Sequence, residues 1–96
     1  MPTRKNFPSR KNARRRSALD RLRERVKWLR THLEIAQTVL SKANKTLKDA
    51  GDAAANMVAV REQADDAQQA IQKYTSGIVR SEAEAEILES RLAAAY

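Results

Sequence analysis

The chain has 96 residues, no cysteine, two glycines, two prolines, four aromatic side chains and a formal net charge of +7 at pH 7. That length allows one domain, and the missing thiols exclude a disulfide framework and a thiolate metal site. So few turn formers and aromatics exclude a sheet protein, while the abundance of Ala, Leu, Arg, Lys, Glu and Gln is the composition of long helices.

The first stretch is a basic arm. Residues 1–16 contain Arg4, Lys5, Arg10, Lys11, Arg14, Arg15 and Arg16 and no acid, whereas residues 17–96 hold twelve basic and twelve acidic side chains and are neutral. Pro2 and Pro8 oppose helix, and a run of like charge with no core to bury is expected to be extended and unfolded on its own. No apolar segment follows it, so it does not read as a secretory signal.

The first helix has two candidate starts. Ser9, after Pro8, could cap it, and Ser17 with Asp20 three residues on fits a capping box. The second is the expected start, with residues 12–16 turning helical on binding. From there Leu19, Leu22, Val26, Leu29, Leu33, Ala36, Leu40, Ala43, Leu47 and Ala50 alternate three and four apart without a miss. That spacing draws one narrow apolar stripe along a helix, the seam of a coiled coil, and it requires a partner helix. Gly51 is the expected left-handed stop and Asp52 the expected cap of the next helix, so residues 51–52 form the turn.

The second helix, expected over 53–95, has a seam of its own: Met57, Val60, Ala64, Ala67, Ile71, Tyr74, Ile78, Ser81, Ala85, Leu88, Leu92 and Ala95. Its frame differs from that of the first seam, as a hairpin requires. Gly77 lowers helix propensity by about 1 kcal/mol relative to Ala. The seam keeps its frame across it, so one helix is expected, with a bend at Gly77 left open. Folding back at 51–52 would place Glu82, Glu84, Glu86 and Glu89 beside Arg21, Arg16 and Arg14, Glu62 beside Lys42, and Leu33 beside Ala70 or Ile71. The expected fold is all-α: an antiparallel, coiled-coil-like helical hairpin (17–96) with an extended basic N-terminal arm (1–16).

A second stripe on the first helix, Trp28, His32, Ile35 and Val39, lies off the seam and reads as a partner interface, for self-association or for docking onto another protein. Arg14, Arg21 and Arg25 share its face. The one histidine stands on this stripe as a packing residue. No Gly-rich phosphate loop and no nucleophile–base constellation is present, and Asp65, Asp66 and the acids of 82–89 lack histidines at ligand spacing. They read as solvated faces or arginine partners. No catalytic residue, metal site, cofactor or small-molecule substrate is expected.

A basic stretch followed by Leu19, Val26, Leu33, Leu40 and Leu47 at sevens resembles the basic-leucine-zipper proteins, which implies a DNA-binding regulator. The chain departs from that pattern: Asn6 and Arg14 keep the mutual spacing of the Asn and Arg that the family places before its first zipper leucine but stand out of phase with Leu19, Pro8 interrupts the basic helix, and a second helix folds back. Ala13 to Arg16 with Trp28 downstream is similar to the arginine-rich RNA-binding helices of phage antitermination proteins. Neither resemblance assigns a family. The sequence reads as a small structural protein whose arm (Arg4, Lys5, Arg10, Lys11, Arg14, Arg15, Arg16) anchors non-specifically to nucleic acid or another acidic surface. It suits a cytoplasmic or virion component, with no membrane association. The alternatives are a zipper-like transcription regulator and a purely protein-binding adaptor.

Overall fold

The computed structural model describes residues 10–94. Arg4 and Lys5 of the arm, and Ala95 of the second seam, lie outside them. Two helices, α1 (Arg10–Ala50) and α2 (Val58–Ala94), are joined by a 3-10 segment, Gly51–Asn56, and pack against each other as a hairpin. The molecule measures 79 × 16 × 15 Å, a narrow rod.

The apolar stripes make the interface. Every described position of both seams is buried or half-buried. Leu19, Leu29, Ala36 and Ala43 of α1 and Ala64, Ala67, Ile78 and Leu92 of α2 form the core. Leu40 and Leu47 of α1 lie beside Ala64 of α2, and small residues at such positions let the backbones approach. Gly77 is the extreme case: a Cβ there would lie 3.2 Å from Leu29 Cδ1 and 3.3 Å from Cδ2. Its place mid-helix is thus a matter of packing, and α2 continues through it unbroken. Among the described residues no large side chain reaches complete burial, because a single seam leaves each residue with one side towards solvent.

Three features differ from the sequence expectation. First, α1 begins at Arg10, so residues 10–16 belong to a helix and not to an extended arm, and Ser17 sits inside the helix instead of capping it. Ala13 and the three arginines after it are good helix formers, and nothing stops the helix from running back until the neighbourhood of Pro8. Second, Gly51 does adopt the left-handed conformation (φ 57°), but the connection is longer than residues 51–52. Packed helix axes lie about 8–10 Å apart, and the six residues of the 3-10 segment, rising about 2 Å each, span that gap. The Met57 N–H donates to the Ala54 carbonyl at 3.1 Å, and the Met57 carbonyl accepts from the Arg61 N–H at 3.0 Å, which starts α2. Asp52 lies within the 3-10 segment and caps no α-helix.

Third, the longer connection shifts the register. The pairs formed are Arg23 with Glu89, at 2.8 Å, and Arg30 with Glu82, not the expected pairs with Arg14, Arg16 and Arg21. Both pairs are about half exposed, so each contributes roughly 0–1 kcal/mol and serves chiefly to mark alignment. Seven residues forward along α1 correspond to seven residues back along α2. On the outer side of α1 the hydroxyls of Thr31, Thr38 and Thr46 donate to carbonyls four residues back, on Lys27, Glu34 and Lys42.

Candidate interaction surfaces

Two surfaces carry the side chains that the seam does not use. The first is the start of α1. The contacts of Leu29 with Gly77 and of His32 with Tyr74 put Ala94, the last described residue of α2, level with about Asn12. The start of α1 thus forms the open end of the hairpin, beside the described end of α2. Arg10, Lys11, Arg14 and Arg16 are exposed there and Arg15 is half-buried. The Arg15 guanidinium donates to Asn12 Oδ1 at 3.3 Å, and Asn12 and Arg16 each engage a further group. Five of the seven arm cations thus sit on about two turns of helix. Like charges at this density oppose helix formation and are relieved by an anionic partner.

The second surface is a flank of the hairpin. On the continuous helix α1, the series Arg14, Arg21, Arg25, Trp28, His32, Ile35, Val39 steps by three, four or seven residues, so all share one face. The first three are cationic and the last four form the apolar stripe. Trp28 and Ile35 are each 53% exposed, and His32 and Val39 are half-buried. The Trp28 and His32 rings lie 3.9 Å apart between centroids, and Tyr74 of α2 meets Trp28 edge-on at 6.0 Å and His32 at 5.9 Å. The second stripe is thereby tied across the hairpin by Tyr74, a seam residue that sequence spacing alone leaves unconnected to it.

Beyond this aromatic cluster, towards the 3-10 segment, an open groove of about 650 Å³ runs between the helices. His32, Ile35 and Val39 line its α1 wall; Ala70 and Tyr74 belong to its α2 wall. Glu62 and Asp66 edge it on α2. The other flank, with Arg23, Arg30, Glu82 and Glu89, is bridged by the two ion pairs. The remaining exposed large apolar residues, Val58, Val79 and Ile87, stand singly on α2.

Among the described residues no three His, Asp or Glu side chains come together as metal ligands would, and no helix is long and apolar enough to cross a membrane. Comparison of the chain with protein-family models, with curated proteins and with solved structures gives no match.

Proposed function

We propose that the protein is a small structural or assembly component: a coiled-coil hairpin that makes protein–protein contacts, with a basic N-terminal segment that anchors it to nucleic acid. A virion or nucleoprotein particle in the cytoplasm is the setting that suits this pairing. The observation that supports the reading is the separation of charge. All of the net charge of +7 resides in residues 1–16, and the described part of that segment is helical at the open end of the hairpin. Arg10, Lys11 and Arg14 are exposed there and would meet a phosphate backbone without rearrangement of the hairpin. Seven phosphate contacts would release enough counterions to give a log–log salt slope of roughly −6 on duplex DNA.

A salt series with random DNA and RNA tests this. The full chain should bind with a slope of several units. Replacing Arg14, Arg15 and Arg16 together by Gln should reduce that slope by about 3 on duplex DNA. An unchanged slope would remove the segment from the interface.

The helicity of residues 10–16 favours one second reading, a regulator whose basic helix reads a particular site. A regulator should prefer its site over random sequence by at least about 10³-fold; an anchor should show no such preference.

A further inference from the structure

We propose that the flank bearing Trp28, His32, Ile35 and Val39 is covered by a second copy of this chain, docked antiparallel about a two-fold axis. The proposal names the protein–protein contact of the assembly reading, and it is independent of whether the basic segment binds nucleic acid.

The hairpin by itself is unfinished. It exposes 7756 Å², whereas a compact protein of 10.8 kDa exposes about 5,500 Å². A standard interface removes about 800 Å² from each partner, so the excess surface is ample for one. The groove and aromatic cluster of this flank offer an apolar, concave part of it. A rod only two helices thick enlarges its core most simply by laying a further apolar stripe against another two helices, as four-helix bundles do.

Charge selects the occupant and its direction. The cationic half of the α1 stripe lies on one side of the apolar half, and the acidic edge of the groove lies on the other. Taking the midpoint between His32 and Ile35, Arg21 lies about 19 Å towards the N-terminus at 1.5 Å per residue. In the register of His32 and Tyr74, Asp66 lies about 10 Å and Glu62 about 16 Å on the opposite side, against about 13 Å for Arg25. A two-fold axis through that midpoint lays apolar stripe on apolar stripe. It carries Arg21 and Arg25 of one copy to the end where Asp66 and Glu62 of the other stand, and the reverse. A parallel pairing would stack the two cationic ends on each other. A two-fold contact is self-complementary by construction, and this flank has that property in charge.

Trp28 is the one tryptophan of the chain and reports on the contact directly. The full chain should sediment as a dimer with Kd below roughly 100 μM, an affinity of about 5 kcal/mol or more. Its tryptophan emission should move to longer wavelength on dilution through the Kd. Ile35→Glu places a charge in the apolar stripe and should weaken association at least about 100-fold, with helicity retained by circular dichroism. The pair Arg21→Glu with Arg25→Glu should weaken it about tenfold, as should Glu62→Arg with Asp66→Arg. The quadruple variant should recover association to within about threefold of the parent, because every cross-copy pair is restored with its sign reversed. A monomer at all accessible concentrations, with emission unaffected by dilution, overturns the proposal. A dimer that Ile35→Glu leaves intact places the contact elsewhere and overturns it too. A dimer for which the quadruple variant is no better than either double overturns the antiparallel alignment. Loss of nucleic-acid binding in the Arg14, Arg15, Arg16 variant leaves all three readouts unchanged, so the two readings fail separately.

Discussion

Gly77 offers a direct test of how the helices pack. Gly in a helix interior is less favourable than Ala by about 1 kcal/mol, part of it from the freedom of the unfolded chain. An unpacked site would therefore gain about that much from Gly77→Ala. Here the new methyl would meet Leu29 Cδ1 at 3.2 Å and Cδ2 at 3.3 Å, closer than ordinary contact. Leu29 is only 5% exposed and cannot swing out without leaving the core. Overfilling of this kind costs roughly 1–3 kcal/mol, so the net expectation is a loss of about 1 kcal/mol from the two opposing effects. A double-mutant cycle sharpens the test. In a Leu29→Ala background the obstruction is gone and the methyl enters vacated space. Gly77→Ala should then stabilise by about 1 kcal/mol, a coupling near 2 kcal/mol between the two positions. The assay is urea unfolding followed by far-UV circular dichroism, at one protein concentration. A stabilising osmolyte held constant through all four proteins keeps the Leu29→Ala variants folded. Equal stabilisation by Gly77→Ala in both backgrounds would refute the packing of Leu29 against Gly77 and the alignment that brings them together.

Other expectations follow from the same geometry. Gly51 has φ of 57°, and a Cβ there would meet nothing within 4 Å, so Gly51→Ala should cost about 1–2 kcal/mol in thermal or urea unfolding from backbone strain alone. Gly51→Asn should cost less. Reversing one member of the Arg23–Glu89 pair should lower stability by no more than about 1 kcal/mol, and reversing both should return it. Larger effects would mean that the pair is shielded from water. Cysteines at Leu29 and Gly77 should crosslink within one chain under mild oxidation, read by gel mobility and mass. Crosslinking exclusively between chains would replace the hairpin by an extended dimer. Ser81, 4% exposed in the seam, should tolerate Ala with unchanged or slightly raised stability, whereas Leu there should cost about 1–3 kcal/mol by overpacking.

The seams were legible because burial is the strongest pattern a helix writes into its sequence. From Leu19 to Ala50 and from Met57 to Leu92 each seam residue is at least half-buried. The direction of the hairpin and the left-handed Gly51 were legible for similar reasons, since a change of seam frame at a glycine has one economical solution. The register was not. It depends on how many residues cross between the helix axes, and Asp52 to Asn56 contains no residue that distinguishes a 3-10 segment from the first turn of a helix. The connection is about five residues longer than expected; that shift, with the diagonal reach of the long Arg and Glu side chains, moves the salt bridges from Arg14, Arg16 and Arg21 to Arg23 and Arg30. The start of α1 was missed because Ser17 and Asp20 make a plausible cap, yet a cap signal does not end a helix that the preceding residues can extend. On the second stripe, Trp28 and His32 were found by spacing. Tyr74 joins them only through the register, which spacing does not supply.

The hairpin's topology also sets an order of events in folding. Contacts near the 3-10 segment join residues close in sequence, whereas Leu19 and Leu92 at the open end are separated by most of the chain. Closing the short loops first costs the least chain entropy. The pairing then advances from Gly51 outwards like a zip. Changes at the turn should alter the folding rate, and changes at Leu19 or Leu92 chiefly the unfolding rate. The open end, which carries the cationic turns, is the last part to close and the first to part. An anion gripping those turns acts where the native hairpin begins to come undone.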